Sequence, residues 1–408
     1  NYNNINKNSS LNKYSSSSII NNNYNTNSMN KNEIIIINNI SNDVNNRNDK
    51  NNQSQKYYGR TNSTQNFKRR NEIIITKPFT NGLQNIGANY YLNSTLQCLA
   101  HIENLTKYLL KKKEEIKVNK NDYKLSYSYL EVLENLWENN EINDYSPNNF
   151  KEIMCKMNPS FKGAKSNDSN DLIMFILENM HNELNQVKNV EQINKEKIDQ
   201  FNFYNSLSCY KKYFNNNFKS IFSDIFYGIY NSQIKCLNCQ MIIHNIQCYN
   251  SLIIPLEEVR KFKKKTQNTV TIKECLEYFQ RPDYMSGQNQ IYCNKCKQNA
   301  NSVNSNSLIL GPKVLIINLN REKGDKNDTK LNFDEYIDIN EFIYFKNTPS
   351  KYRVIGVITH FNGNFIAFCK SFVDNNWYKY NDITVNSSNF FEAKTTGVPC
   401  ILFYSVVE

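Results

Sequence analysis

Four cysteines at two tight spacings, Cys236-x-x-Cys239 and Cys293-x-x-Cys296, are the residues of this sequence best suited to a defined chemistry. Two such pairs can supply four thiolates, the closed tetrahedral donor set of structural zinc. Each pair follows a strand-like stretch, "SQIKC" and "IYC", so each is expected at a hairpin turn. With sulfur at all four positions no place is left for water, so the expected Zn2+ is structural rather than catalytic. The alternatives are a redox motif, which a single CxxC would equally suit, and four unligated thiols. His244 lies between the pairs and reads as a surface residue rather than a ligand.

The 408 residues leave room for one large domain or two ordinary ones. The first residue is Asn rather than Met, which reads as a fragment or a processed form. A hydrophobic share of 39% and an aromatic share of 13% can fill a sizeable core. No run approaches the roughly 18 apolar residues of a membrane span, and the start shows no signal-peptide pattern. Eleven cysteines, an odd number without a secretion signal, fit a reduced intracellular compartment, cytoplasm or nucleus, better than a disulfide framework. The net charge is +11, of which residues 1–70 carry +7. That distribution reads as a basic tail on a nearly balanced domain, with nucleic-acid binding by the tail as the lesser reading.

The elements that must position any site begin near Ile73. Residues 1–72 are rich in Asn, Ser and Lys and are expected to be disordered, the run Ile34–Ile37 being isolated. Later Asn tracts, Asn215–Asn217 and Asn301–Asn306, read as loop insertions. Apolar residues at helical spacing predict helices from Asn93 to about Lys113, Tyr123 to Trp137, Phe150 to Met157 and Asp171 to Leu184. From Phe222 the pattern changes to short β-branched and aromatic runs: "FYGIYNSQIKC", "NSLIIPL", "VLIINLN", "YRVIGVITH", "NFIAFCKSF", "NWYKYND" and "CILFYSVV". The implied class is α+β, a helical half beside a mostly antiparallel sheet.

These blocks, in this order, resemble the ubiquitin-specific proteases (ubiquitin carboxyl-terminal hydrolases), a papain-like cysteine protease family. "GLQNIGANYYLNSTLQCL" resembles its Cys box, and "SNDLIMFILENMHNEL" a thumb helix preceded by an Asp. "FYGIYNSQIKCLNC", "TIKECLEYF" and "YCNKC" resemble the fingers, "PKVLIINLNR" a central strand, and "YRVIGVITHFNGNFIAFCK" with "NWYKYND" the His box and the block of the third triad residue. The resemblance covers about Gly82 to Tyr404. It implies a helical thumb (about 82–220), zinc-ribbon-like fingers (about 230–300) and a β-rich palm, within a domain spanning 73–408.

The family's chemistry needs a Cys at a helix N-terminus, a His to move its proton, an Asp or Asn to hold that His, and an Asn to stabilise the oxyanion. Carried over residue by residue, Asn85 takes the oxyanion position, Tyr90 the nucleophile position, Asn364 the general-base position and Asn381 the third triad position, with Asp382 after it. Asp171 takes the position that holds the ubiquitin tail. A phenol with a pKa of about 10 is a poor nucleophile at neutral pH. Cys98 lies eight residues on, about 12 Å along a helix. His360 is the one histidine of interest, expected opposite Asn364 across the "FNG" turn. His101 and His181 read as ordinary surface or packing residues.

The resemblance with these replacements implies a pseudoenzyme. Its expected role is to bind ubiquitin, a ubiquitin-like protein or another protein partner as a scaffold, in the ubiquitin pathway or an RNA-processing complex. The alternative is an active thiol-dependent deubiquitinase, and Tyr90 and Asn364 count against it. RNA binding through the tail and "RKFKKK" (Arg260–Lys265) is weaker, since that run lacks interleaved aromatics and reads as a solvated loop.

Overall fold

The structure is a computed structural model that describes residues 75–87, 90–138, 144–162, 169–189, 199–320, 329–346 and 348–407. The segment expected to be disordered, residues 1–72, lies outside the described residues.

The chain opens with β1 (Gly82–Leu83) and then α1 (Tyr90–Ala100), α2 (Glu103–Lys111), α3 (Lys113–Val118) and α4 (Lys124–Trp137). After β2 (Asp144–Tyr145) come α5 (Asn148–Met157), α6 (Ser169–Leu184), α7 (Phe203–Asn217) and α8 (Ile221–Phe226). The β half then runs through β3 (Gly228–Cys236), β4 (Ile242–Tyr249), β5 (Leu252–Pro255), α9 (Leu256–Phe262), β6 (Thr269–Thr271), α10 (Ile272–Phe279), β7 (Asp283–Met285), β8 (Ile291–Cys293) and β9 (Gln298–Ala300). It continues with β10 (Ser302–Leu310), β11 (Val314–Asn320), β12 (Lys330–Asn332), β13 (Tyr336–Asp338), β14 (Lys351–Phe361), β15 (Asn364–Lys370), β16 (Trp377–Asn381), β17 (Thr384–Ser388), α11 (Phe390–Thr395) and β18 (Val398–Val406). None of the described helices is long and apolar enough to cross a membrane.

The main sheet has the order β17-β16-β15-β14-β18-β11-β5, with β13 added to β14. It is antiparallel except where β5 joins β11 in parallel. Alternate residues of its strands feed two cores, as the two-residue period of a strand requires. Ile316, Ile358, Ala367 and Phe403 pack against the helical half. Ile317, Val357, Phe368 and Leu402 pack on the other face with residues of α9 and α10. Within the helical layer α1 is enclosed: every residue from Tyr91 to Ala100 is buried, as expected of a helix without a solvent stripe.

The single helix expected from Asn93 to about Lys113 is three helices. α1 stops because the Ala100 carbonyl takes the Thr106 hydroxyl at 2.8 Å and the Trp137 indole N–H at 3.1 Å, which satisfies a helix end without continuing it. The expected helices 123–137, 150–157 and 171–184 are α4, α5 and α6 to within two residues, and the seven strand stretches are all strands.

Both Asn tracts read as loops are regular structure. Asn215–Asn217 form the last turn of α7, whose Leu207, Tyr210 and Phe214 pack on Ile229, Ile246 and Ile309. Asn301–Asn306 lead into β10, the strand between β3 and β7 in the four-stranded sheet β4-β3-β10-β7. Its polar side chains find cross-strand partners: Ser232 donates to Asn304 at 3.1 Å and Gln233 to Ser305 at 2.6 Å. Backbone pairing and these cross-strand side-chain bonds overcome a composition that disfavours strands. The "RKFKKK" run is not a free loop either. It ends α9, and Arg260, Lys263 and Lys265 pair with Glu257, Glu277 and Glu274.

Candidate functional site

The β14–β15 hairpin turns on Asn362 and Gly363, both at positive φ (50° and 81°), the two-residue geometry that suits twisted strands. Phe361 therefore lies opposite Asn364, and His360 lies opposite Phe365. The expected pairing of His360 with Asn364 is off by one residue. One step along a strand reverses the face, so the two are on opposite faces of the ribbon. His360 is exposed and sets its ring edge-on to Phe365 at 5.2 Å.

α1 runs alongside β15 in the same direction. Near its start Tyr91 meets Phe365 at 6.2 Å, and near its end Cys98 meets Cys369 at 3.6 Å. Tyr90, the first residue of α1, is thereby at the same end of the layer as Asn364, the first residue of β15. Asn381 ends the antiparallel neighbour β16 at that end too. Extending the Ala367–Tyr380 register by one residue sets Asn381 across from Ile366, a diagonal neighbour of Asn364 on one face. The sequence positions expected to form a triad thus share one end of the fold.

Asn85 precedes α1 and is exposed. Its amide donates to one Asp382 carboxylate oxygen at 3.0 Å, and its carbonyl oxygen takes the Gly87 N–H at 3.0 Å. Asn93, buried on α1, donates to the other Asp382 oxygen at 2.8 Å. The Leu83 N–H closes on the Asp382 carbonyl at 2.9 Å. This approach requires Gly82, since a Cβ there would stand 2.3 Å from the Ile383 Cα. Asp382 sits in the β16–β17 turn at φ 50°. Asp382 and Asn93 were not singled out from the sequence. The only signal was the adjacency of Asp382 to Asn381 and of Asn93 to the Cys-box position.

Asn364 has an amide, which accepts no proton near neutral pH, and Tyr90 offers a phenol. Cys98 is buried between α1 and the sheet, its sulfur near the space left by Gly356, and burial pushes the neighbouring Cys369 thiol up. Neither thiol reaches solvent. His101, expected to be surface or packing, is packing: it is buried among Phe79, Trp137 and Tyr380, and burial lowers its pKa to about 4. His181 is also buried, with Nδ1 2.7 Å from the Ser220 hydroxyl and its ring stacked on Phe218; burial lowers its pKa to about 4. Asp171 is exposed in the first turn of α6.

The two CxxC pairs, with 53 residues between them, come together at hairpin turns, between β3 and β4 and between β8 and β9. All four sulfurs lie within 4.8 Å of one another, with 3.8 Å between Cys236 and Cys296 and 3.6 Å between Cys239 and Cys293. The two turns repeat one geometry. Gln240 and Lys297 follow the second cysteines at φ 61° and 55°, and their N–H groups return to the Cys236 and Cys293 carbonyls at 2.9 and 2.8 Å. The Cys296 N–H draws the Cys293 thiol down to about 6, while the Cys239 sulfur pushes the Cys296 thiol up to about 12. Four crowded sulfurs cannot all ionise without a cation among them, so this donor set fits a metal ion. His244 is not part of the cluster. It is half-buried rather than on the surface, 3.1 Å from the Asn231 amide.

Comparison with known proteins bears on the whole frame. The family model described as ubiquitin carboxyl-terminal hydrolase matches residues 81–404. Among curated relatives, ubiquitin carboxyl-terminal hydrolase 2 of Bos taurus is 24% identical over 341 residues, covering 80% of this chain and 55% of the relative. Its Homo sapiens counterpart gives the same figures. The chain therefore spans about half the length of these relatives. Among solved structures, the SAGA Ubp8/Sgf11/Sus1/Sgf73 DUB module bound to ubiquitin aldehyde aligns with a TM-score of 0.61 at 20% identity, covering 82% of this chain and 71% of that one. The same module bound to monoubiquitin aligns with a TM-score of 0.61 and covers 90% of this chain and 75% of that one. The fold is that of the ubiquitin-specific protease catalytic domain, and with its family model spanning most of the sequence the chain belongs to the ubiquitin carboxyl-terminal hydrolase family.

Proposed function

We propose that this chain is a pseudoenzyme of its family, a ubiquitin-binding scaffold that has kept the frame of the active site and lost its reactants. One observation carries the reading: α1 opens on Tyr90 and β15 opens on Asn364, where the family's chemistry needs a thiol and an imidazole. Asn85 and Asn381 stand ready to stabilise an oxyanion and to orient a base, but no base and no thiolate are there to be served. The burial of Cys98 argues against a substitute nucleophile.

Binding of ubiquitin is supported by the fold shared with modules solved with ubiquitin aldehyde and monoubiquitin. Asp171, exposed at the start of α6, is the proposed contact for the ubiquitin tail. Those modules also contain Sgf11, Sus1 and Sgf73, which favours a role inside a larger assembly, with other proteins as partners. Cys236, Cys239, Cys293 and Cys296 are proposed to hold one Zn2+, which would clamp the β3–β4 and β8–β9 turns together and leave no open coordination position. An intracellular location, cytoplasm or nucleus, goes with free thiols at these positions.

The test is a fluorogenic ubiquitin C-terminal hydrolysis assay run beside a titration of labelled ubiquitin. No turnover with saturable binding is expected. Turnover abolished by thiol alkylation would establish the alternative, an active deubiquitinase. Absence of both turnover and binding would remove ubiquitin as the partner.

A further inference from the structure

We infer that the groove between α4 and α5 is a docking site for an acidic peptide segment of another protein, one carrying apolar side chains among its carboxylates. The groove encloses about 480 Å³. Tyr127, Ile153 and Met157 supply its apolar lining, and Lys120, Lys124 and Lys156 stand around it. The three lysines are exposed, Tyr127 and Ile153 are half-buried, and Met157 keeps 38% of its surface in water.

The charges decide what fits. Lys120 and Lys124 form no ion pair among the described residues. Among the described residues Lys156 pairs only with Glu152 at 2.6 Å, where both side chains are more than 60% exposed, so the pair is easily exchanged. The lining itself holds no carboxylate; Asp122 beside Lys120 and Glu152 beside Lys156 lie at its edge. The adjoining groove on the other side of Asn149 shows the contrast. It is lined by Glu131, Glu134 and Glu138, but Glu134 is met by Lys117 at 2.6 Å, Glu138 by Lys113 at 3.0 Å and Glu131 by the Asn149 amide at 2.5 Å. The acidic groove is answered from within the chain, and the basic groove is left for a partner.

The lining also selects the class of partner. Carboxylates beside apolar side chains complement lysines beside Ile153 and Met157, and such complementarity fixes register as well as affinity. A nucleic acid would want stacking faces and a long basic track. Here the lining offers a single aromatic ring, Tyr127, and three lysines rather than a track.

The experiment uses the full chain and a fluorescein-labelled dodecapeptide of Glu with Leu at every fourth position, read by anisotropy at physiological salt. The double variant Lys120→Glu/Lys124→Glu is compared with Lys330→Glu/Lys351→Glu, which changes net charge equally at exposed sites in the β half. Thermal melts check that both variants fold. The groove variant should bind about tenfold more weakly or worse, and the control should bind within about twofold of the unmodified chain. Equal loss in both variants would mean non-specific attraction and overturn the proposal. So would no binding by the unmodified chain, or tighter binding of an oligothymidylate that the groove variant alone abolishes.

Discussion

Asn85 and Asp382 lie 297 positions apart in the sequence and are joined by a 3.0 Å hydrogen bond from the Asn85 amide to the Asp382 carboxylate. The second carboxylate oxygen takes the buried Asn93 amide at 2.8 Å. One side chain at the β16–β17 turn thus sets the loop ahead of α1 and the first turn of α1 itself. Replacing Asp382 by Asn keeps a residue that tolerates φ 50° but removes the charged acceptor. The loss should be about 1–3 kcal/mol of stability by urea unfolding. Asp382→Ala should cost more, because Ala also lacks the short polar side chain that lets Asp and Asn tolerate the left-handed region. No change in either variant would show that the bond does not hold the frame.

Activity should be recoverable only in combination. Tyr90→Cys supplies a thiol without a base, and Asn364→His a base without a thiol. Each single variant should remain close to background with ubiquitin carrying a thiol-directed C-terminal warhead. The double variant should label measurably, since nucleophile and base act as a unit. Strong labelling of the unmodified chain would refute the reading of these positions.

Metal content offers a separate check. The purified, reduced chain should carry about one zinc per molecule by elemental analysis, and a strong chelator should lower its melting temperature. Cys239→Ser should lower both metal content and stability, because a hydroxyl is a poor zinc ligand beside three thiolates. A metal-free chain with an unaltered melt would argue against the site.

The buried histidines predict acid sensitivity. His101 titrates at about 4 in the folded chain and near 6.5 when unfolded, because burial penalises its charged form. A lowered folded pKa for a base means the unfolded state takes up the proton first. The associated stability is present above pH 6.5 and is lost as the pH falls toward 4, at up to about 1.4 kcal/mol per pH unit. His181 shifts in the same direction for the same cause. Urea unfolding at pH 7 and pH 5 should show the decline, and His101→Gln should flatten it. An equal slope in that variant would assign the acid sensitivity elsewhere.

The cysteine pairs and most of the strands were legible in the sequence because their signals are local. Two residues between cysteines define a turn, and β-branched runs such as "VLIINLN" define a buried strand whatever surrounds them. The order of such blocks was enough to bring out the family resemblance, and the residues at Tyr90 and Asn364 could be read directly. The polar elements were not legible. β10 is a strand because β3 and β7 pair with its backbone and answer its Asn and Ser side chains, and α7 is a helix because its apolar face finds Ile229, Ile246 and Ile309. The register that sets His360 against Phe365 rather than Asn364 depends on two residues adopting positive φ. The four sulfurs meet, and Asp382 reaches Asn85 and Asn93, only once the sheet has brought distant turns together. Sequence spacing fixes which groups are neighbours along a strand or helix; contacts across hundreds of residues are chosen by the packing of whole elements, which no local pattern encodes.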